Sequence, residues 1–283
     1  MQFIWSNFDE NSEFAKLARE TKQNNDASFW PNMRKVIGHD CDSLPLSRFR
    51  LWASIALVPI VNRTKHWNFI GAAFNGALKS DVVKKALEEN WVGVPMTQED
   101  VNNFLVADDF STSMTRVIDV GHIMMCNFDP TEIQNYKSIV EVGAGYGNMC
   151  SVIHSLGFKG KYTIFDFEEM HKLQRFYLER NGIYGVNYVT EVDQLESADL
   201  VIGTWSISEI PLELREQILN KLWGTPNWLI AYQDHTFSGA WSNSEYLHNK
   251  FKDFSYEESH IRHSEYDGVN NHFYVNNFSR NKA

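Results

Sequence analysis

The sequence predicts an α/β fold: a doubly wound, mainly parallel sheet of seven strands ending in an antiparallel hairpin, preceded by a helical region. Three observations carry this expectation. Beyond Asn135, short apolar runs alternate with amphipathic stretches, the pattern of right-handed βαβ crossovers. Before about residue 130 the spacing is helical and no alternating strand pattern appears. Near the start of the alternating part, a glycine-rich segment from Glu141 to Gly147 sits where a first strand should turn into a helix.

Taken in order, Leu51 to Val61 is the longest apolar stretch, but Ser54 and Pro59 interrupt it and it reads as a buried helix rather than a membrane span. Ser80-Asp81 opens a short helix through Leu87, with Ser or Asp as N-cap. Thr97 to Asp100 reads as a capping box ahead of Val101, and Thr115 to Met125 as a further helix. Strands follow at 138–142, 161–166, 186–189, 199–203 and 228–232. Helices fill the gaps: Glu168 to Arg180, closed by Asn181-Gly182, and Pro211 to Trp223, stopped by Gly224 and Pro226. The tail, Phe254 to Phe278, reads as two strands joined around Asp267-Gly268. Residues 1–130 form the helical region and residues 131–283 the α/β domain.

A formal net charge of −10 leaves no basic footprint to neutralise phosphates, so neither nucleic acid nor an anionic membrane surface is an expected partner. Met1 to Asn7 shows no basic region followed by an apolar one, as a signal peptide requires. Cys41, Cys126 and Cys150 form no CxxC pair and fit buried thiols in a reducing cytoplasm. Nineteen Phe, eleven Tyr and nine Trp point to a large core or aromatic-lined pockets. Oligomeric state is not written in the sequence; a homodimer is the commonest arrangement.

In Glu141-Val142-Gly143-Ala144-Gly145-Tyr146-Gly147 the glycines allow a sharp turn and a close approach of backbone to ligand. A dinucleotide fingerprint, G-x-G-x-x-G, would place its third glycine at 148, where Asn148 stands. Glu141, at the end of the strand, would repel a pyrophosphate but suits the ammonium group of S-adenosylmethionine. Asp166, 23 residues beyond Gly143, is placed to accept hydrogen bonds from ribose hydroxyls. The turn therefore favours a nucleoside carrying an amino acid.

Residues 138–147 resemble the first motif of class I S-adenosylmethionine-dependent methyltransferases, a Rossmann-like family, and Asp166 resembles their ribose-binding acid. The resemblance implies that Glu191-Val192 lies near the adenine, and that Thr204-Trp205 ends the fourth strand beside the cofactor. The cofactor set then comprises Glu141, Gly143, Ala144, Gly145, Gly147, Asp166, Phe167, Glu191, Val192, Thr204 and Trp205. More narrowly, Val140 to Gly147, Leu173 to Leu178 and Ser208-Glu209-Ile210-Pro211 resemble bacterial sugar O-methyltransferases over roughly residues 110–283. That resemblance implies a sugar, or a nucleotide-linked sugar for surface polysaccharide, as acceptor. The chain departs from the family at Ala144, where glycine is frequent, and at Phe167-Glu168, which replaces Leu-Pro.

A hydroxyl acceptor benefits from a base, and ligands in open α/β sheets lie outside the carboxyl ends of the strands. Asp234-His235 follow the fifth strand: His235 is the first candidate base, with Asp234 orienting it, and a hydrogen-bonded loop pair is the other reading. Glu209 is a second candidate, as base or acceptor ligand, or else part of an N-cap network for the helix near Pro211. His122 is a candidate acceptor-binding residue, or a packed helical histidine. His260, His263 and His272 lack the acid or cysteine spacing of a metal centre, and no metal is expected, although acids near Asp234 leave room for a divalent cation. No Pro pair follows Thr204-Trp205, against adenine or glutamine N-methylation, and Cys150 is wrongly placed for a cysteine-nucleophile RNA enzyme. An O-methyltransferase on a non-sugar acceptor, a non-catalytic cofactor-binding protein and an NAD-dependent oxidoreductase are the rival readings.

Overall fold

The computed structural model describes residues 67–88, 114–125, 129–233, 242–262 and 271–280, with backbone alone at 67–70, 114–115, 233, 255–262 and 271–280. The expected helix at 51–61, the capping box at 97–100, the turn at Asp267-Gly268, and Asp234, His235 and His263 lie outside those residues.

Three described helices precede the sheet: α1 (Trp67–Lys79), α2 (Asp81–Leu87) and α3 (Met114–Met125). Asp81 in the first turn of α2 and Lys84 and Lys85 in its last complement the helix dipole. Ser80 caps α2 in extended backbone, but its side chain accepts no capping hydrogen bond; Lys84 N–H donates instead to the Ser80 carbonyl at 2.9 Å. From Arg116 to Ile123 every residue of α3 is buried, so this helix lies inside the structure rather than on it.

The α/β part then unfolds as β1 (Ser138–Val142), α4 (Asn148–Ser155), β2 (Lys161–Phe165), α5 (Glu168–Arg180), β3 (Asn187–Val189), β4 (Leu200–Thr204), α6 (Ser206–Glu209), α7 (Leu212–Lys221) and β5 (Asn227–Gln233). All five strands are parallel, in the spatial order β3-β2-β1-β4-β5. The chain winds outward from β1 to β3, then returns to the other side of β1 for β4. The topological switch therefore falls between the carboxyl ends of β1 and β4, where ligands of doubly wound sheets bind. After β5 come α8 (Asn243–Lys250), β6 (Phe254–Arg262) and β7 (Asn271–Arg280). Ser242 and Glu245 form a reciprocal capping box at the start of α8, at 3.1 and 3.0 Å. The backbone of β7 runs antiparallel beside β5, and β6 antiparallel beside β7.

Alternation along the central strands builds the core on both faces. Ile139, Leu200, Ile202, Leu229 and Ala231 face one way, Val140, Val201, Trp228, Ile230 and Tyr232 the other. The first face is covered by α4 and α5, and Val83, Ala86, Leu87 and Val117 of the N-terminal helices belong to that same cluster. The second is covered by α7 and α8 through Ile218, Leu219, Leu247 and Phe251. Each such side chain contributes about 1.5–3 kcal/mol on burial. Arg116 ties α3 in place: it donates to the Ala86 carbonyl at 2.5 Å, to Ser151 Oγ at 3.0 Å and to Ser155 Oγ at 2.6 Å. Among the described residues no helix is long and apolar enough to cross a membrane.

Candidate functional site

Gly143, Gly145 and Gly147 all adopt left-handed backbone, with φ of +70°, +55° and +97°. That region is open to glycine and disfavoured for residues with a Cβ. The three differ in the space around them. A Cβ on Gly143 would meet the Cβ of Ser206, because β1 and the segment after β4 converge there. Ser206 Oγ donates to the Val142 carbonyl, and Gly143 N–H to the Phe165 carbonyl at 2.9 Å, so the turn is sewn to both neighbouring strands. A Cβ on Gly147 would crowd Leu178 at 3.2 Å. A Cβ on Gly145 would meet nothing within 4 Å: the backbone there borders open space.

Acids gather around this turn. Glu141 is 2% exposed and is the penultimate residue of β1, whose bounds are those expected. Glu141 pairs in register with Ile164, which sets Tyr162, two residues back on β2, on the same face. The Tyr162 hydroxyl donates to Glu141 Oε2 at 2.6 Å. Burial pushes the Glu141 pKa up to about 8 against the Tyr162 hydrogen bond, and the charges of Asp119 and Asp166 raise it further. Asp119, buried on α3, accepts a hydrogen bond from Asn148 Nδ2 at 2.5 Å, and Asn148 Oδ1 accepts one from the Tyr177 hydroxyl at 3.1 Å.

Asp166 follows β2 at the edge of the site and is partly open to solvent. Enclosure of its carboxylate pushes its pKa up to about 7. Hydrogen bonds from Phe167 N–H, from Gln174 and from Ala144 N–H oppose that rise, and the charge of Glu169 adds to it. Phe167 N–H reaches Oδ1 at 2.8 Å, and Gln174 Nε2 reaches Oδ2 at 2.8 Å and the Gly145 carbonyl at 2.9 Å.

On the β4 side, Trp205 is the one residue other than glycine with positive φ, +67°, among the described residues. Such backbone costs about 1–2 kcal/mol and collects at functional sites. The surrounding bonds hold it: Trp205 N–H donates to the Ala231 carbonyl at 2.6 Å, and Ser208 Oγ to the Trp205 carbonyl at 2.6 Å. Arg215, buried, donates to the carbonyls of Ser208 and Ile210 at 2.9 and 3.0 Å and to Asn243 Oδ1 at 2.9 Å. The His122 ring stands edge-on to Trp205, centroids 5.2 Å apart at 80°. His122 is thus both buried, at 1% exposed, and beside the switch point.

The structure brings together Glu141, Gly143, Ala144, Gly145, Gly147, Asp166 and Phe167 around one turn, with Ser206 against Gly143 and Trp205, next to Ser206 in the chain, against His122. Thr204 ends β4 next to them. Glu191 and Val192 belong to a single 3-10 turn after β3, where Gln194 Oε1 accepts from the N–H groups of Thr190 and Glu191 at 3.3 and 3.2 Å. Val192 packs against the opposite face of the sheet from Glu141. Glu209 is the last residue of α6, two residues before Pro211, which stands at the N-cap position of α7. Sequence reasoning missed Asp119, Tyr162, Gln174, Ser206 and Arg215. Asp119 stands three residues before His122 on a helix, a spacing that puts both on one side.

No protein-family model matches the chain, and a search of curated proteins finds no match. Among solved structures it is similar to a Thermoplasma acidophilum protein at 15% identity and TM-score 0.45, over 60% of this chain and 92% of that one. It is similar to a magnesium protoporphyrin IX methyltransferase from Synechocystis with bound SAM at 14% identity and TM-score 0.39, over 49% and 68%. A precorrin-6y C5,15-methyltransferase from Geobacter metallireducens gives 13% identity and TM-score 0.41, over 62% and 92%. Likeness this distant assigns no activity. The function has to come from the chemistry of the site.

Proposed function

We propose that the chain is an S-adenosylmethionine-dependent O-methyltransferase whose acceptor is a small polar molecule, a sugar or nucleotide-linked sugar. The observation that carries the cofactor is the ring of Glu141, Asp119 and Asp166 about a glycine turn with open space at Gly145. Acids in that position oppose a pyrophosphate and suit a ligand with cationic ammonium and sulfonium groups. This disfavours the dinucleotide reading of the same turn.

Bound there, S-adenosylmethionine supplies a methyl group on a good leaving group, open to in-line displacement. The chain's own residues do the rest. Gly143, Gly145 and Gly147 let the backbone approach the ligand, Asp166 accepts hydrogen bonds from ribose hydroxyls, Asp119 sets a negative field, and a cationic ligand draws the protonated Glu141 toward its ionised form. Trp205 and His122 form the acceptor side, contributed jointly by β4 and the N-terminal helices of region 1–130. His235, oriented by Asp234, takes the proton of the acceptor hydroxyl, and Glu209 binds acceptor hydroxyls or serves as base in its place. A base of this kind contributes about 10²–10⁴-fold. The catalytic domain in this reading is residues 131–283, with a seven-stranded sheet closed by the antiparallel β6–β7 hairpin, working in the cytoplasm. The backbone pairing of β7 with β5 and β6 supports that closure.

The sugar acceptor is supported by the sequence resemblance around Gly143, Gln174 and Glu209. Its test is transfer of a labelled methyl group from S-adenosylmethionine to a panel of nucleotide sugars, free glycosides and phenolic or phosphoryl acceptors. Label on a sugar hydroxyl supports the reading. Label only on another acceptor class would move the substrate, and cofactor binding without any transfer would favour a non-catalytic protein.

A further inference from the structure

Gln174 is wholly buried in the middle of α5, a place where packing alone asks for an apolar side chain. Its amide nitrogen donates to the Gly145 carbonyl at 2.9 Å and to Asp166 Oδ2 at 2.8 Å. Its carbonyl Oε1 is buried and accepts no hydrogen bond among the described residues. A buried, unsatisfied acceptor is destabilising, so the two donated bonds are what the position is built around. They span the site, joining the open corner of the glycine turn to the acid after β2.

We propose that Gln174 is the positioning residue of the cofactor site, its amide clamping the Asp166 carboxylate to the glycine turn so that the acid meets the ribose hydroxyls. The inference rests on the cofactor reading above. The titratable groups bearing on Asp166 are Glu169 of α5 and, ionised only near pH 8 and above, Glu141 of β1, itself faced by Asp119 of α3. All are acids. Neutral donors therefore keep the carboxylate ionised, and Gln174 is the one side chain among them; the others are the N–H groups of Ala144 and Phe167.

The test is calorimetric titration with S-adenosylhomocysteine from pH 5.5 to 8.5 on wild type, Gln174→Leu and Gln174→Glu, with thermal unfolding in the same buffers as a check on folding. Binding needs an ionised Asp166, so wild-type affinity is full above about pH 7 and falls as pH drops through it. In Gln174→Leu the acid loses a donor: its midpoint moves to higher pH and affinity at pH 8 falls about tenfold. In Gln174→Glu a second carboxylate repels Asp166 at pH 8, but once protonated it donates. Affinity of that variant is greatest where the pair holds one proton and falls on either side, by repulsion toward high pH and by protonation of Asp166 itself toward low pH, a bell that wild type does not show. Because Glu and Gln share a shape, this variant decides the matter even if Gln174→Leu fails to fold. Variants with wild-type affinity and midpoint would overturn the role of Gln174 alone. Wild type that binds no S-adenosylhomocysteine at any pH would remove the cofactor reading and this inference with it.

Discussion

Gly143 and Ser206 meet so closely that a Cβ added to the glycine would lie 2.4 Å from the Cβ of the serine. Gly145, two residues on, faces open space at a similar positive φ. The two glycines therefore separate fold from ligand. Gly143→Ala should destabilise by about 2–4 kcal/mol, from overpacking and left-handed strain together. Gly145→Ala should cost about 1 kcal/mol, from backbone strain alone, yet still lose S-adenosylhomocysteine binding. Urea unfolding and calorimetry of both variants check this; equal destabilisation would contradict it.

Glu141 should make stability fall as pH rises. Its folded pKa of about 8 lies above the ordinary 4.5. Between those values the folded chain holds a proton that the unfolded chain releases, so the contribution is full below about pH 4.5 and is lost through pH 8. Glu141→Gln still accepts from Tyr162 and cannot ionise. Its stability relative to wild type should therefore improve from pH 5 to 8, by at most about 1.4 kcal/mol per pH unit. A difference that stays constant over that range in urea unfolding would show that Glu141 does not titrate there.

Arg116 joins α3 to α2 and α4 through three hydrogen bonds. Arg116→Met removes those donors and should cost about 2–4 kcal/mol. Hydrogen exchange should quicken across residues 114–125, which carry Asp119 and His122, before it quickens in β1. Uniform quickening of both would mean that α3 is not anchored separately.

The acceptor chemistry should separate from cofactor binding. His235→Ala, Asp234→Asn and Glu209→Gln should each leave affinity for S-adenosylhomocysteine within about threefold of wild type, while at least one lowers methyl transfer about 10²–10⁴-fold. Unchanged transfer in all three would remove them from the chemistry.

The five parallel strands and the glycine turn were legible because periodicity and glycine placement are local properties. Helix α5 was placed at its observed bounds, from Glu168 to Arg180, by its closing Asn181-Gly182. Glu141 was legible as a site acid, but its Tyr162 partner depends on the register of β1 against β2, which residue types do not fix. Asp119 was hidden for a related reason: which side of α3 meets the turn is decided by packing against α1 and α4. Trp205 was expected beside the cofactor, yet nothing in a tryptophan announces a φ of +67°, which a long-range bond to Ala231 and a local one from Ser208 hold.

The most direct test of the cofactor assignment is calorimetric titration of wild type and Asp166→Ala with S-adenosylhomocysteine and, in parallel, with NADH. The account predicts that wild type binds S-adenosylhomocysteine and not NADH, and that the variant binds it about tenfold or more weakly, as the loss of hydrogen bonds to a charged acid implies. Preference for NADH, or no binding of S-adenosylhomocysteine, would contradict it and return the glycine turn to the dinucleotide class.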